Sequence, residues 1–240
     1  TNVLAETGIE NILRWAAEKV DGPYIKNQIR NKMIRPTTIP QQLSGLKIEQ
    51  GIAREALRLA FQQHMSLAAG LKGIQRTGDI ASAFYQELGG ESIVDMMALD
   101  LIVGSGGVLS HAPRRSQAAM MLIDAFMPEG FTRLAVDSIF MMPQLGVLAD
   151  VHEEAATQVF WRDCLIPLGE CLAPTGRYRH GRRCMTVTIE DADEGREIPV
   201  QWGDLMLIEL DRDETVRVTV DTVFGVDAGE GPGRAVTTQV

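Results

Sequence analysis

The residues best placed to do chemistry stand close together: Gly104, Ser105, Gly106 and Gly107 end a short apolar run, and His111 follows a few residues on. Small residues let a backbone turn tightly and approach a ligand, and a helix after such a turn offers unpaired N–H groups to an anion. Strand, glycine turn and helix in that order are how an open α/β sheet presents a nucleotide, with Val103 as the last strand residue. The same turn also serves where a helix only packs against a sheet. His111 is placed either to approach a ligand or to cap a helix start. Asp137, at the end of a second apolar run, can orient a ribose, a water or a metal, or it can stabilise a turn. Arg114 and Arg115 beside the glycines, like Arg182 and Arg183, read as solvated faces, although the first pair could meet phosphate.

Other candidates carry less. Cys171, His180 and Cys184 invite a zinc reading but lack the short cysteine knuckle, so no metal is expected. The phosphate loop G-x-x-x-x-G-K-[ST] is absent, which argues against a P-loop enzyme. Thr1 could act as a nucleophile with its own α-amine as base, which keeps an N-terminal-threonine hydrolase as a remote alternative. Residues 229–233, glycine at every second position, follow no α/β unit and read as a plain turn. No residue is expected to be catalytic.

The elements that must position these groups follow from periodicity. Apolar residues at three- and four-residue steps predict a helix over 7–20, ended by Gly22-Pro23, and a second over 25–34, stopped before Pro36. The most regular helix spans 46–69. Ile52, Ala53, Ala56, Leu57, Ala60 and Phe61 share its apolar face, while Glu49, Arg54, Glu55, Arg58 and Gln62 should see solvent or a cleft. A loop rich in glycine and base follows at 70–78, then a shorter helix closed by Gly89-Gly90. Residues 114–127 form a helix with Ala118, Met121, Leu122, Ala125 and Phe126 inward, and 134–137 form a buried strand. With the opening strand this makes a parallel β-α-β unit. Residues 141–146 read as a turn before a helix to about Trp161. Strands at 186–189, 204–210 and 215–220 then build an antiparallel β module. Two domains are expected, 1–175 and 176–240.

A chain of 240 residues, 45% hydrophobic and 23% charged, can bury an ordinary core, and its net charge of −9 argues against nucleic acid or an anionic membrane as partner. Three cysteines are too few for a disulfide framework and suit a reducing cytoplasm.

The wording of the chain, in residues 8–12, 31–40, 52–59, 70–76, 100–115 and 135–143, resembles the accessory proteins of glutamate mutase, called GlmL or MutL and unrelated to the mismatch-repair protein of that name. The resemblance implies the actin, sugar kinase and Hsp70 superfamily: two RNase H-like halves clasp ATP, and the protein protects or reactivates an adenosylcobalamin-dependent mutase. It makes Val103, Gly104, Ser105, Gly106 and Gly107 the adenosine motif and places Lys47, Glu49 and Arg54 beside the purine. The strand and turn at 137–146 would close the sheet edge. The family's acidic phosphate hairpin is not found after Thr1, so the chain is expected to be the second half, with the phosphate contacts and Mg²⁺ supplied from outside this segment. ATP is the expected cofactor, and mutase subunits together with the missing N-terminal half or a partner chain are the expected partners. The alternative is an interaction module that keeps the fold and binds no nucleotide.

Overall fold

The computed structural model describes residues 2–15, 22–70, 94–190, 195–210 and 215–240, with 2–7 and 67–70 described by their backbone alone. Thr1, the loop and helix expected over 71–90, and Gly89-Gly90 lie outside the described residues. The molecule is mixed α/β and divides into two units. The first comprises residues 1–94, 104–127 and 136–166, and the second 95–103, 128–135 and 167–240. No described helix is long and apolar enough to cross a membrane.

The first unit carries the helices α1 (Asn2–Leu13), α2 (Gly22–Ile34), α3 (Leu43–Gly70), α4 (Gly107–Ser110), α5 (Arg115–Phe126) and α6 (Met142–Val159). Ile12 of α1, Ile25 and Ile29 of α2 and Ile48 of α3 form a buried cluster, flanked by Ile9, Leu13 and Ile52. Each such side chain contributes about 1.5–3 kcal/mol when fully removed from water. Gly22-Pro23, expected to end the first helix, opens α2, and residues 16–21 before it lie outside the described residues. Proline fits a first turn because its missing N–H has no partner there in any case.

α3 turns a different face inward from the one its apolar pattern suggested. Ile48, Gly51 and Glu55 are buried, whereas Ala60 is exposed. A Cβ on Gly51 would stand 3.1 Å from the carbonyl oxygen of Ile12, so glycine is what lets α1 lie this close. On a neighbouring face Phe61 meets Phe126 of α5 edge-on, ring centroids 5.1 Å apart.

Strands β1 (Leu101–Gly104), β2 (Gly130–Asp137) and β3 (Leu165–Ala173) form a sheet of order β1-β2-β3. Thr132 Oγ1 donates to the Leu99 carbonyl and Arg133 N to that of Asp100, so partners advance together along the two segments, as in a parallel pair. The turn expected at 141–146 is instead the start of α6, with Pro143 in its first turn; the chain bends at 138–140. α6 is interrupted at His152 (φ −151°, ψ 82°), whose Nδ1 accepts the Ala155 N–H and restarts the helix, and a π-helical turn, Phe160–Cys164, follows it.

The second unit holds β4 (Thr175–Gly176), β5 (Arg183–Glu190), β6 (Gly195–Gln201), β7 (Arg217–Thr222), β8 (Val226–Asp227) and β9 (Val236–Gln239). β6, β5, β7 and β9 form an antiparallel sheet in that order, and β4 pairs with β8. Alternation fixes the register: Val187 stands opposite Val220, and Ile189 opposite Val218, all buried on one face. Residues 204–210 are not a strand. Asp204 turns back to accept the Gln201 N–H, after which Ile208 and Leu210 pack on the sheet without joining it.

Candidate functional site

At the end of β1 the three glycines have different tasks. Gly104 is buried, and a Cβ on it would stand 3.0 Å from Leu109 Cδ1 and 3.2 Å from Leu122, so it is there to let helix pack on strand. Gly106 adopts φ +103°, a conformation that L side chains rarely hold. Neither Gly106 nor Gly107 has an atom within 4 Å of where a Cβ would sit, so both leave backbone bare beside open space. Val103 is half-buried in the strand, and His111 is exposed and closes α4, its N–H on the Gly107 carbonyl.

The end of β2 is tied to this turn. Asp137 is wholly buried, and its carboxylate accepts the backbone N–H groups of Ile139 (3.4 Å), Met141 (3.1 Å) and Met142 (2.9 Å) and the Ser105 hydroxyl (3.3 Å). Its carbonyl accepts from Ser110 Oγ at 2.5 Å. Burial alone would push the Asp137 carboxyl up, but these donors outweigh it and hold the group below the usual carboxylate range. With four donors on two oxygens, Asp137 anchors the start of α6 and fixes Ser105, which is the turn-stabilising role of the two open to it. Arg115 Nη1 donates to the Ser110 carbonyl at 2.9 Å.

The α3 candidates stand in pairs of their own. Glu49 is bridged to Lys32 at 2.5 Å, Arg54 Nε binds Asp124 of α5 at 2.6 Å, and Lys47 is half-buried. Glu55, expected on an open face, is fully buried. Arg14 Nη2 (2.9 Å), Trp15 Nε1 (3.0 Å) and both Arg58 Nε (3.2 Å) and Nη2 (2.5 Å) converge on its carboxylate. Burial raises its pKa, but the hydrogen bonds from Arg58 and Trp15, with the charges of Arg58 and Arg14, leave it lowered. Gln50, one helical turn before Arg54, is buried with no partner for its Nε2 among the described residues. Neither Glu55 nor Gln50 carries a signal in the sequence: a glutamate three residues before an arginine spells an ordinary surface pair.

Among the described residues no three histidine, cysteine or carboxylate side chains come together as a metal site. The thiols are free, and burial pushes that of Cys171 up to about 11. Asp227 Oδ1 accepts the N–H groups of Gly229 and Gly231, so the glycine-rich 229–233 stretch is a carboxylate-held turn. The glycine turn leaves the backbone of Gly106 and Gly107 bare beside open space, with the exposed His111 four residues after Gly107. Two clefts have linings that share no residue with it, one of residues 157–159 and 161–163 and one of four arginines with Trp202.

The model of the family described as MutL protein matches residues 1–164, from α1 through the π-helical turn, and so includes the glycine turn, Asp137 and α3. No curated protein and no solved structure matches the chain.

Proposed function

We infer the function of this chain from its family: it belongs to the MutL family of glutamate mutase accessory proteins. We propose that it is the nucleotide-binding half of an ATP-dependent, reactivase-like protein that serves an adenosylcobalamin-dependent mutase in the cytoplasm. The nucleotide half corresponds to residues 1–175, an actin-like half with an RNase H-like core, and the β module to 176–240. The observation that carries this reading is the bare backbone of Gly106 and Gly107 beside open space, just after a half-buried strand. Space where side chains are missing fits a flat base and ribose brought against main chain. Val103, Gly104, Ser105, Gly106 and Gly107 would form that wall, with His111 beyond it, and Asp137 would hold Ser105 in position. Lys47, Glu49 and Arg54 would flank the purine, Arg54 sharing its guanidinium with Asp124. Bound ATP would supply a phosphoanhydride, open to cleavage only where this segment is joined to the missing half. The residues of this chain bind and orient the nucleoside end, while phosphate contacts and Mg²⁺ come from outside the segment.

Hydrogen exchange on the full-length protein with and without Mg·ATP tests this. The expected result is protection of residues 104–107, lost in Gly107→Val, which adds a side chain where no atom stands within 4 Å and where φ is not positive. Saturable ATP binding with no protection there overturns it.

A second reading, an interaction module without nucleotide, is favoured by one observation. Val147 (71% exposed) and Val151 (85% exposed) share a face of α6 with half-exposed Leu148, and Ile139 and Phe140 are exposed at the bend before it. That reading requires stable co-purification with a mutase subunit and no binding at millimolar ATP.

A further inference from the structure

The chain has 32 acids against 23 bases, yet Arg177, Arg179, Arg182 and Arg183 line a single cleft of about 510 Å³ in the second unit, with Trp202 and residues 223–226 as its other wall. All four arginines are exposed, and none is paired with a carboxylate among the described residues. The sequence suggests an ordinary solvated turn. The backbone is instead fastened on several sides. Gly181 N donates to the Trp202 carbonyl and Trp202 N to that of Arg182, both at 2.9 Å, and Arg182 N to the Arg179 carbonyl at 3.0 Å.

The opposite wall is fixed as well. Thr175 and Gly176 pair with Asp227 and Val226, and Gly176, at φ +139°, comes so close to the other strand that a Cβ on it would stand 2.5 Å from the Gly225 carbonyl oxygen. Val223 N donates to the Cys184 carbonyl at 3.0 Å. Tyr178 packs edge-on against Trp202, centroids 5.6 Å apart, and its hydroxyl meets His180 Nδ1 at 2.9 Å. Phe224 stands fully exposed at the rim.

Four guanidiniums held on one framed turn repel one another unless an anion lies among them. Arginine presents a planar fork that matches phosphate oxygens two at a time, and several such forks favour a ligand with several phosphates. An indole and a phenyl ring beside them offer faces to an organic group, and the volume is that of a small-molecule site. We propose that this cleft binds a polyphosphate ester, its phosphates on Arg177, Arg179, Arg182 and Arg183 and its organic end against Trp202 and Phe224. The site shares no residue with the glycine turn and does not depend on the function proposed for it.

Calorimetric titration of the whole chain with inorganic triphosphate, and then with ATP, tests the assignment. Triphosphate is expected to bind saturably, at least tenfold more weakly in Arg179→Gln/Arg182→Gln and unchanged in Gly107→Val. ATP is expected to protect residues 177–183 and 223–226 from hydrogen exchange, with its gain in affinity over triphosphate lost in Phe224→Ala. Circular dichroism checks that each variant is folded, and single Arg179→Gln serves if the double variant is not. No saturable binding, binding indifferent to the arginine substitutions, or tighter binding of a phosphate-free glutamate peptide overturns it. Protection at 104–107 without protection at 177–183 sinks this site and leaves the nucleotide function standing; the reverse pattern does the opposite.

Discussion

Asp137 shows how one carboxylate can settle the geometry of a turn. It takes the N–H groups of Ile139, Met141 and Met142 together with the Ser105 hydroxyl. Asn in its place keeps one acceptor oxygen and turns an amide NH₂ toward donors, so Asp137→Asn is expected to lower stability by about 1–3 kcal/mol at neutral pH in urea unfolding. Because the folded-state pKa is lowered, the carboxylate's contribution is present above the unfolded aspartate value of about 3.9 and is lost as pH falls through the folded value. The gap between wild type and variant should therefore close below about pH 4. Glu55→Gln removes the charge on which Arg14 and Arg58 converge. We expect a loss of about 2 kcal/mol, below the ~3–5 of a wholly buried pair, because the Arg14 side chain is 44% exposed and regains water. The two acids differ in how far the sequence reveals them. Asp137 is visible as an acid at the end of an apolar run, with its turn-stabilising role already an option. Glu55 is hidden, because its burial comes from Arg14 and Trp15, about forty residues away, and no local pattern announces a partner at that distance.

At the level of elements, a stretch of three glycines separates packing from access. Gly104→Val pushes methyl groups into Leu109 and Leu122 and should cost about 1–3 kcal/mol by overpacking. Leu109→Ala combined with it should recover part of that loss, a coupling that a double-mutant cycle in urea would read directly. Absence of coupling would show that the loss comes from the backbone. α5 is legible almost to the residue, since its inward Ala118, Met121, Leu122 and Ala125 keep helical spacing from end to end. α3 is legible as a helix but not in its orientation, because a glycine and an acid, Gly51 and Glu55, occupy its buried stripe where apolar residues were expected. In the β module, β6 and β9 escape the sequence pattern, and residues 204–210 imitate a strand. Alternation reports one face buried, and a segment can bury one face against a sheet without pairing to it.

On the scale of the whole molecule, the β-rich unit is not made of the C-terminal residues alone. Phe131 of β2 and Leu172 of β3 pack against the core of Val187, Ile189, Val218 and Val220. An excised 176–240 segment leaves that apolar face without them. It should bind the dye ANS and unfold over a broader urea range than the same residues in the intact chain. A sharp transition without dye binding would show that the β module stands alone. The division between units has one more consequence, for how the protein ages. The backbone passes from one unit to the other five times, after residues 94, 103, 127, 135 and 166. A molecule stitched in this way tolerates a nick. A protease that cuts one crossing leaves four peptide connections between the units, so damage visible on a denaturing gel should not show as separation on a native column.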